Sequence, residues 1–215
     1  MKRMRETRTA RPKVQRFSDD GGAVLAEAAL VTPIFIFMLF GILEFGGAFR
    51  DYLTLSNVVV TGTRQEAIWG SSLQADWKTL DAIHRGNGAL DLDNLDYIVV
   101  WKASAGTDKV PSGCKSGAAS FAGGTITAPA IGACNVYTAA DIRDKINGPQ
   151  WTCSGPKIGP IQYYCPSGRK VTVLADPDYL GVYVQIQHPW VTGLFGQEVQ
   201  MSDQSVTKLE PQKIA

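Results

Sequence analysis

From Ala28 to Leu43 the chain carries no charged residue, and the wider block Ala23–Phe49 carries only Glu27 and Glu44. As a helix this block extends roughly 40 Å, enough to cross a hydrocarbon core of about 30 Å with some tilt. It has no polar face to turn toward water, which excludes a helix lying on the surface of a soluble domain. The exception is Glu27. A carboxylate in the first turns of a membrane segment costs about 2.5–3.5 kcal/mol at the bilayer centre and less nearer its edge, and so asks for a partner.

The flanks of the block give an orientation. Lys2, Arg3, Arg5, Arg8, Arg11, Lys13 and Arg16 precede it, against Glu6, Asp19 and Asp20, whereas Arg50 and Arg64 are the nearest basic residues beyond it. The positive-inside rule then predicts a cytoplasmic N-terminus with everything after about Phe49 outside. A chain of 215 residues is expected to hold one membrane segment and one modest domain, and its net charge of +1 offers no basic field for nucleic acid. All four cysteines, Cys114, Cys134, Cys153 and Cys165, fall on the outer side. Their even number in an oxidising compartment favours two disulfides over a zinc site, since no Cys-x-x-Cys pair occurs and His84 and His188 are distant in sequence. Loop closure alone prefers Cys114–Cys134 with Cys153–Cys165 among the possible pairings.

Residues 1–20 are basic, polar and without apolar periodicity, as in a topogenic leader. The block that follows is too long for the apolar core of a secretory signal, and no small-x-small cleavage site stands after it. Gly22, then apolar residues, then Glu27 as the fifth residue after the glycine resembles the processing site of type IV pilin-like precursors. The words Ala23-Val24-Leu25-Ala26-Glu27-Ala28-Ala29-Leu30-Val31-Thr32-Pro33 and Phe40-Gly41-Ile42-Leu43-Glu44-Phe45-Gly46 are similar to those of TadE-type minor pseudopilins of tight-adherence (Flp) pilus systems. The similarity runs over about residues 21–66, with a weaker echo in Val206-Thr207-Lys208-Leu209-Glu210-Pro211. The resemblance implies removal of residues 1–22 by a membrane prepilin peptidase. It also implies a free amine at Ala23, and pairing of Glu27 with the terminal amine of a neighbouring subunit. The plainer reading of Glu27 is an inner-leaflet acid that snorkels or stays protonated. Glu44 is expected near the outer interface, where an acid costs little. Pro33 removes the hydrogen bond to the Ala29 carbonyl and is expected to bend the helix or be tolerated as a kink. Glu27, Pro33 and Glu44 are thus candidate subunit-packing positions.

Beyond Phe49 the helix is expected to continue as a spine, with Tyr52, Leu55, Val59, Gly62, Glu66 and Trp69 at three-four spacing and Leu53, Val60 and Ala67 beside them. Ser71 with Gln74 reads as a capping box for a second helix presenting Leu73, Trp77, Leu80 and His84, stopped by Gly86-Asn87-Gly88. Asp91–Asp96 fails the calcium-loop pattern, because Leu95 takes a ligand position, and reads as a solvated turn. Tyr97–Trp101 is the strongest strand signal.

Residues 104–169 are rich in Gly, Pro, Ser and Cys. They are expected to form an insertion with little core of its own, relieved by one helix from Thr138 to Asn147. Strands are predicted at Val171–Leu174, around Val182–Gln187 and at Glu198–Val206. The apolar connection Trp190–Phe195 reads as cover for the sheet edge or, less favoured, as a docking patch close to the membrane. The expected fold is α+β: a long transmembrane helix (23–49), a helical spine with a second helix (50–90), and an antiparallel sheet head (91–215) packed on the spine.

No nucleophile-elbow, phosphate-loop or zinc-protease motif is present, so nothing positive supports an enzyme or a cofactor. The sequence therefore predicts a non-enzymatic, single-pass pseudopilin of the cytoplasmic membrane. Its expected partners are the lipid bilayer, a prepilin peptidase, other pilin or pseudopilin subunits and the inner-membrane assembly platform. The rival is a signal-anchored extracytoplasmic binding protein or hydrolase that keeps its leader and never joins a filament.

Overall fold

A computed structural model describes residues 20–86, 92–119, 134–145, 151–154, 160–172 and 176–211. The elements are α1 (Asp20–Trp69), α2 (Ala75–Gly86), β1 (Leu95–Ala103), α3 (Ser112–Ala119), β2 (Cys134–Tyr137), α4 (Ala139–Lys145), β3 (Tyr179–Pro189) and β4 (Glu198–Lys208). The chain divides into two units between Leu43 and Glu44. In the first, α1 runs uninterrupted through Pro33, and every described side chain from Gly22 to Phe40 is exposed. The second holds the rest of α1 and the whole sheet.

Within the second unit the helix becomes one-sided. Glu44, Ala48, Leu55, Val58, Val59, Thr63, Glu66 and Ala67 are buried at three-four spacing, while Tyr52, Leu53 and Val60 face out. The expected spine face is therefore shifted away from Tyr52. Gly62 lets α2 approach closely, because a Cβ there would lie 2.8 Å from the Ile83 side chain. Gly70, at φ 42°, ends α1 in the left-handed conformation and donates to the Glu66 carbonyl at 2.9 Å. Glu210 N–H donates to the Ala67 carbonyl at 3.1 Å, so the Val206–Pro211 stretch is tied to the end of the spine.

The four strands form one antiparallel sheet in the order β2-β1-β3-β4. Ile98, Val100, Leu180, Val182, Val184 and Ile186 share a core with Leu55, Val58 and Val59 of α1 and with Leu80 and Ile83 of α2. Each such buried aliphatic side chain contributes roughly 1.5–3 kcal/mol. The alternate residues Tyr97, Val99, Trp101 and Tyr183 pack with Cys114, Cys134 and Val136 on the opposite face. β1 is thus covered on both faces, which explains its near-continuous apolar run. Opposite Trp101 stands Gly181, where a Cβ would lie 2.2 Å from the indole ring, so only glycine admits the tryptophan.

Several sequence expectations change. The region 104–169 holds the expected helix as α4, but it also supplies β2 and α3, and its Cys114, Tyr137, Ile142, Trp151, Ile161 and Tyr164 enter the cores of the head. Short length and a Gly/Ser-rich context hid β2 and α3. Val171 and Thr172 are not in a strand, and Val173 and Leu174 lie outside the described residues. On α2 the buried face is Asp76, Thr79, Leu80 and Ile83, with Leu73 exposed. Its first turn is braced by Ser72 Oγ, which accepts from Gln74 N–H at 3.3 Å, one residue later than the Ser71 box. The Thr138 cap does form: Thr138 N–H donates to Asp141 at 2.9 Å, and Asp141 N–H returns a bond to Thr138 Oγ1 at 3.3 Å. Asn87, Asp91 and the stop at Asn147–Pro149 lie outside the described residues.

Candidate functional site

Three glutamates, Glu27, Glu44 and Glu66, lie on α1, and the structure treats each differently. Glu27 is exposed, as are Gly22, Ala23 and Pro33 around it. The surface beside it is apolar, with Leu25 73%, Leu30 75% and Ile34 67% exposed. Such a helix requires either lipid or other apolar helices around it. Thr32 returns its hydroxyl to the Ala28 carbonyl at 2.6 Å, which removes one polar group from that surface.

Glu44 is buried by its own chain. The β3–β4 connection folds over it. Val191 N–H donates to Oε2 at 2.9 Å, and Thr192 N–H and Thr192 Oγ1 both donate to Oε1 at 2.5 Å. Beside it Phe45 meets Trp190 and Phe195 with ring centroids 5.8 Å and 5.0 Å away, and Trp190 and Phe195 meet each other at 5.6 Å. Trp190–Phe195 therefore covers the helix at Glu44 and Phe45 rather than the sheet edge. About two turns on from Glu44, His188 Nδ1 lies 2.7 Å from Asp51.

Glu66 sits in a fully buried cluster that sequence reading did not anticipate. Arg169 pairs with Glu66 through Nη1, with Asp76 through Nη2 at 2.6 Å, and with the Tyr164 carbonyl at 3.3 Å. Asn135 donates to Asp76 at 2.7 Å and to the Tyr164 carbonyl at 2.9 Å, and accepts from Tyr164 N–H at 2.7 Å. Tyr137 donates its hydroxyl to Asp76, and Thr79 donates to Glu66. One cation faces two carboxylates, so the cluster is neutral only if one acid keeps its proton. Burial, reinforced by the charge of Asp76, raises Glu66 well above the ordinary carboxylate range. Burial opposes the charge of Asp76 too, but Arg169 and the surrounding donors outweigh it and hold Asp76 low. Glu66 is thus the protonated partner. An acid at position 66 on an otherwise apolar helix face was the signal available in the sequence.

The cysteines pair as Cys114–Cys134 and Cys153–Cys165. The first joins α3 to β2 over the outer sheet face. The second anchors the segment that carries Tyr164 and Arg169 into the buried cluster. Chemically, this arrangement fastens and buries the segments it joins.

Among the described residues one helix is long and apolar enough to cross a membrane, and the chain continues from it into a disulfide-linked α+β head, the layout of a protein with one N-terminal apolar helix and a folded head. Residues 22–64 match the family model described as TadE-like protein, which relates that stretch to components of tight-adherence pili. The match covers about a fifth of the chain and begins at Gly22. The comparisons with curated proteins and with solved structures yielded no match.

Proposed function

We propose that this chain is a non-enzymatic minor pseudopilin of a tight-adherence pilus or a related secretion apparatus. It is held in the cytoplasmic membrane with its N-terminus in the cytoplasm and its head outside. It is trimmed after Gly22 by a prepilin peptidase, and it works by packing α1 against other pilin or pseudopilin subunits and the inner-membrane assembly platform. The observation that carries this reading is the TadE-like match beginning at Gly22, over a helix whose apolar surface is exposed all round Glu27. Glu27 would meet the new amine of a neighbouring subunit, a pairing favoured where the dielectric is low. The basic leader and the two disulfides fit that orientation.

Mass spectrometry of the mature N-terminus tests it. In cells with an active prepilin peptidase the membrane-extracted protein is expected to begin at Ala23, and Gly22→Leu is expected to accumulate as the full-length precursor. An intact leader beginning at Met1 on the wild-type protein would overturn the reading in favour of a signal-anchored protein.

A further inference from the structure

We infer that the β3–β4 tip, Trp190–Gln197, is a second membrane contact that dips into the lipid interface on the head's side of the bilayer. The tip reads Trp-Val-Thr-Gly-Leu-Phe-Gly-Gln, without a charge. Val191 is 91% exposed, Leu194 46% and Phe195 41%, and Phe45 of α1 is exposed beside them. An apolar patch of this kind needs a cover, and the backbone beneath it says which.

Five backbone N–H groups of the tip bond within the chain. Val191 and Thr192 N–H go to Glu44, Trp190 N–H to the Gln197 carbonyl at 3.0 Å, Leu194 N–H to Thr192 Oγ1 at 3.3 Å, and Gly196 N–H to the Gly193 carbonyl at 3.3 Å. A loop bathed in water has no need to satisfy its own amides, whereas one immersed among lipid chains does. The tip is also built around Glu44, the first residue after the uncharged run Ala28–Leu43. The charged residues Arg50, Asp51 and Glu198 begin only past it along both elements, as they do where a segment emerges into headgroups. Trp190 adds an aromatic side chain of the type that concentrates at that level.

The proposal rests on the membrane placement of α1, and the test separates the two. The full-length protein is reconstituted into phosphatidylethanolamine–phosphatidylglycerol vesicles whose chains are brominated close to the headgroup or near the chain end. The emission of Trp190 is taken as the difference between wild type and Trp190→Phe. Shallow bromines are expected to quench it strongly, deep bromines weakly, and aqueous iodide little. Val191→Asp, at an exposed position, is expected to weaken the shallow quenching and leave the fold intact. Strong iodide quenching without bromine quenching would overturn the proposal by leaving the tip in water. Protection from both quenchers of a tryptophan placed at the most exposed position, Val191→Trp in the Trp190→Phe background, would overturn it by showing a protein, such as a second copy, over the tip. Failure of the protein to float with the vesicles would remove the membrane placement of α1 and the proposal together.

Discussion

The head buries one glutamate at each end of its helix, and the two are accommodated in opposite ways. Glu44 is satisfied by two backbone amides and a hydroxyl from a single uncharged loop. Glu66 is placed against an arginine already claimed by Asp76 and keeps its proton. The first arrangement fixes one loop. The second joins α1, α2, β2 and the segment from Tyr164 to Arg169, because each supplies a group that the others cannot replace. A buried acid on this helix is therefore read by what surrounds it, and Glu27, exposed on the same helix, differs from both.

The largest expected effect is at Arg169. Arg169→Leu leaves the buried Asp76 carboxylate without its cation and Glu66 without a donor, and is expected to destabilise the head by about 3–5 kcal/mol. Denaturant unfolding of the detergent-solubilised protein measures it, and a loss no larger than that of a surface mutant would dissolve the contrast with Glu44. Next comes Glu44→Ala, which orphans the tip donors and is expected to cost about 1–3 kcal/mol. Hydrogen exchange should locate that loss at Val191 and Thr192, with the β1–β2 amides unchanged, and Glu44→Gln should restore part of the protection.

Glu66→Gln sharpens the comparison through pH. The folded value of Glu66 is raised above its ordinary 4.5, so the folded chain holds a proton that the unfolded chain releases. Its contribution is complete below pH 4.5 and is lost as pH rises toward the folded value. Asp76 is lowered from 3.8, so its contribution is present above that pH and lost as pH falls through its folded value. Thermal stability is expected to be highest in the mildly acidic window between these effects, and Glu66→Gln is expected to flatten the alkaline limb alone. An unchanged alkaline limb would mean that Glu66 is ionised in the fold. The smallest effect on stability is expected from Glu27→Ala, within about 0.5 kcal/mol for the head. Crosslinking to other pilin subunits should nevertheless fall. Wild-type crosslinking in both Glu27→Ala and Glu27→Gln would remove the special status of that residue.

Features carried by local pattern were legible in the sequence. The uncharged run from Ala28 is α1, Tyr97–Trp101 lies inside β1, and the alternation around Val182–Ile186 lies inside β3. The disulfide partners follow from short loops. What escaped depends on chain segments far apart. Arg169 meets a glutamate 103 residues earlier, and nothing near Arg169 marks it as buried. The donors of Glu44 were hidden because they come from a loop 147 and 148 residues later. β2 is only four residues long and is recognisable chiefly once β1 is there to pair with it.

The bond from Glu210 to Ala67 has a consequence for the timing of biogenesis. The carbonyl of Ala67 near the end of the spine is matched by a residue that follows β4, and Leu209 beside it is buried. That end of the spine is therefore completed only once synthesis has passed Glu210. A chain stopped before Leu209 leaves the carbonyl and the place of that side chain open to water, and is expected to be cut faster by a protease than one that includes them.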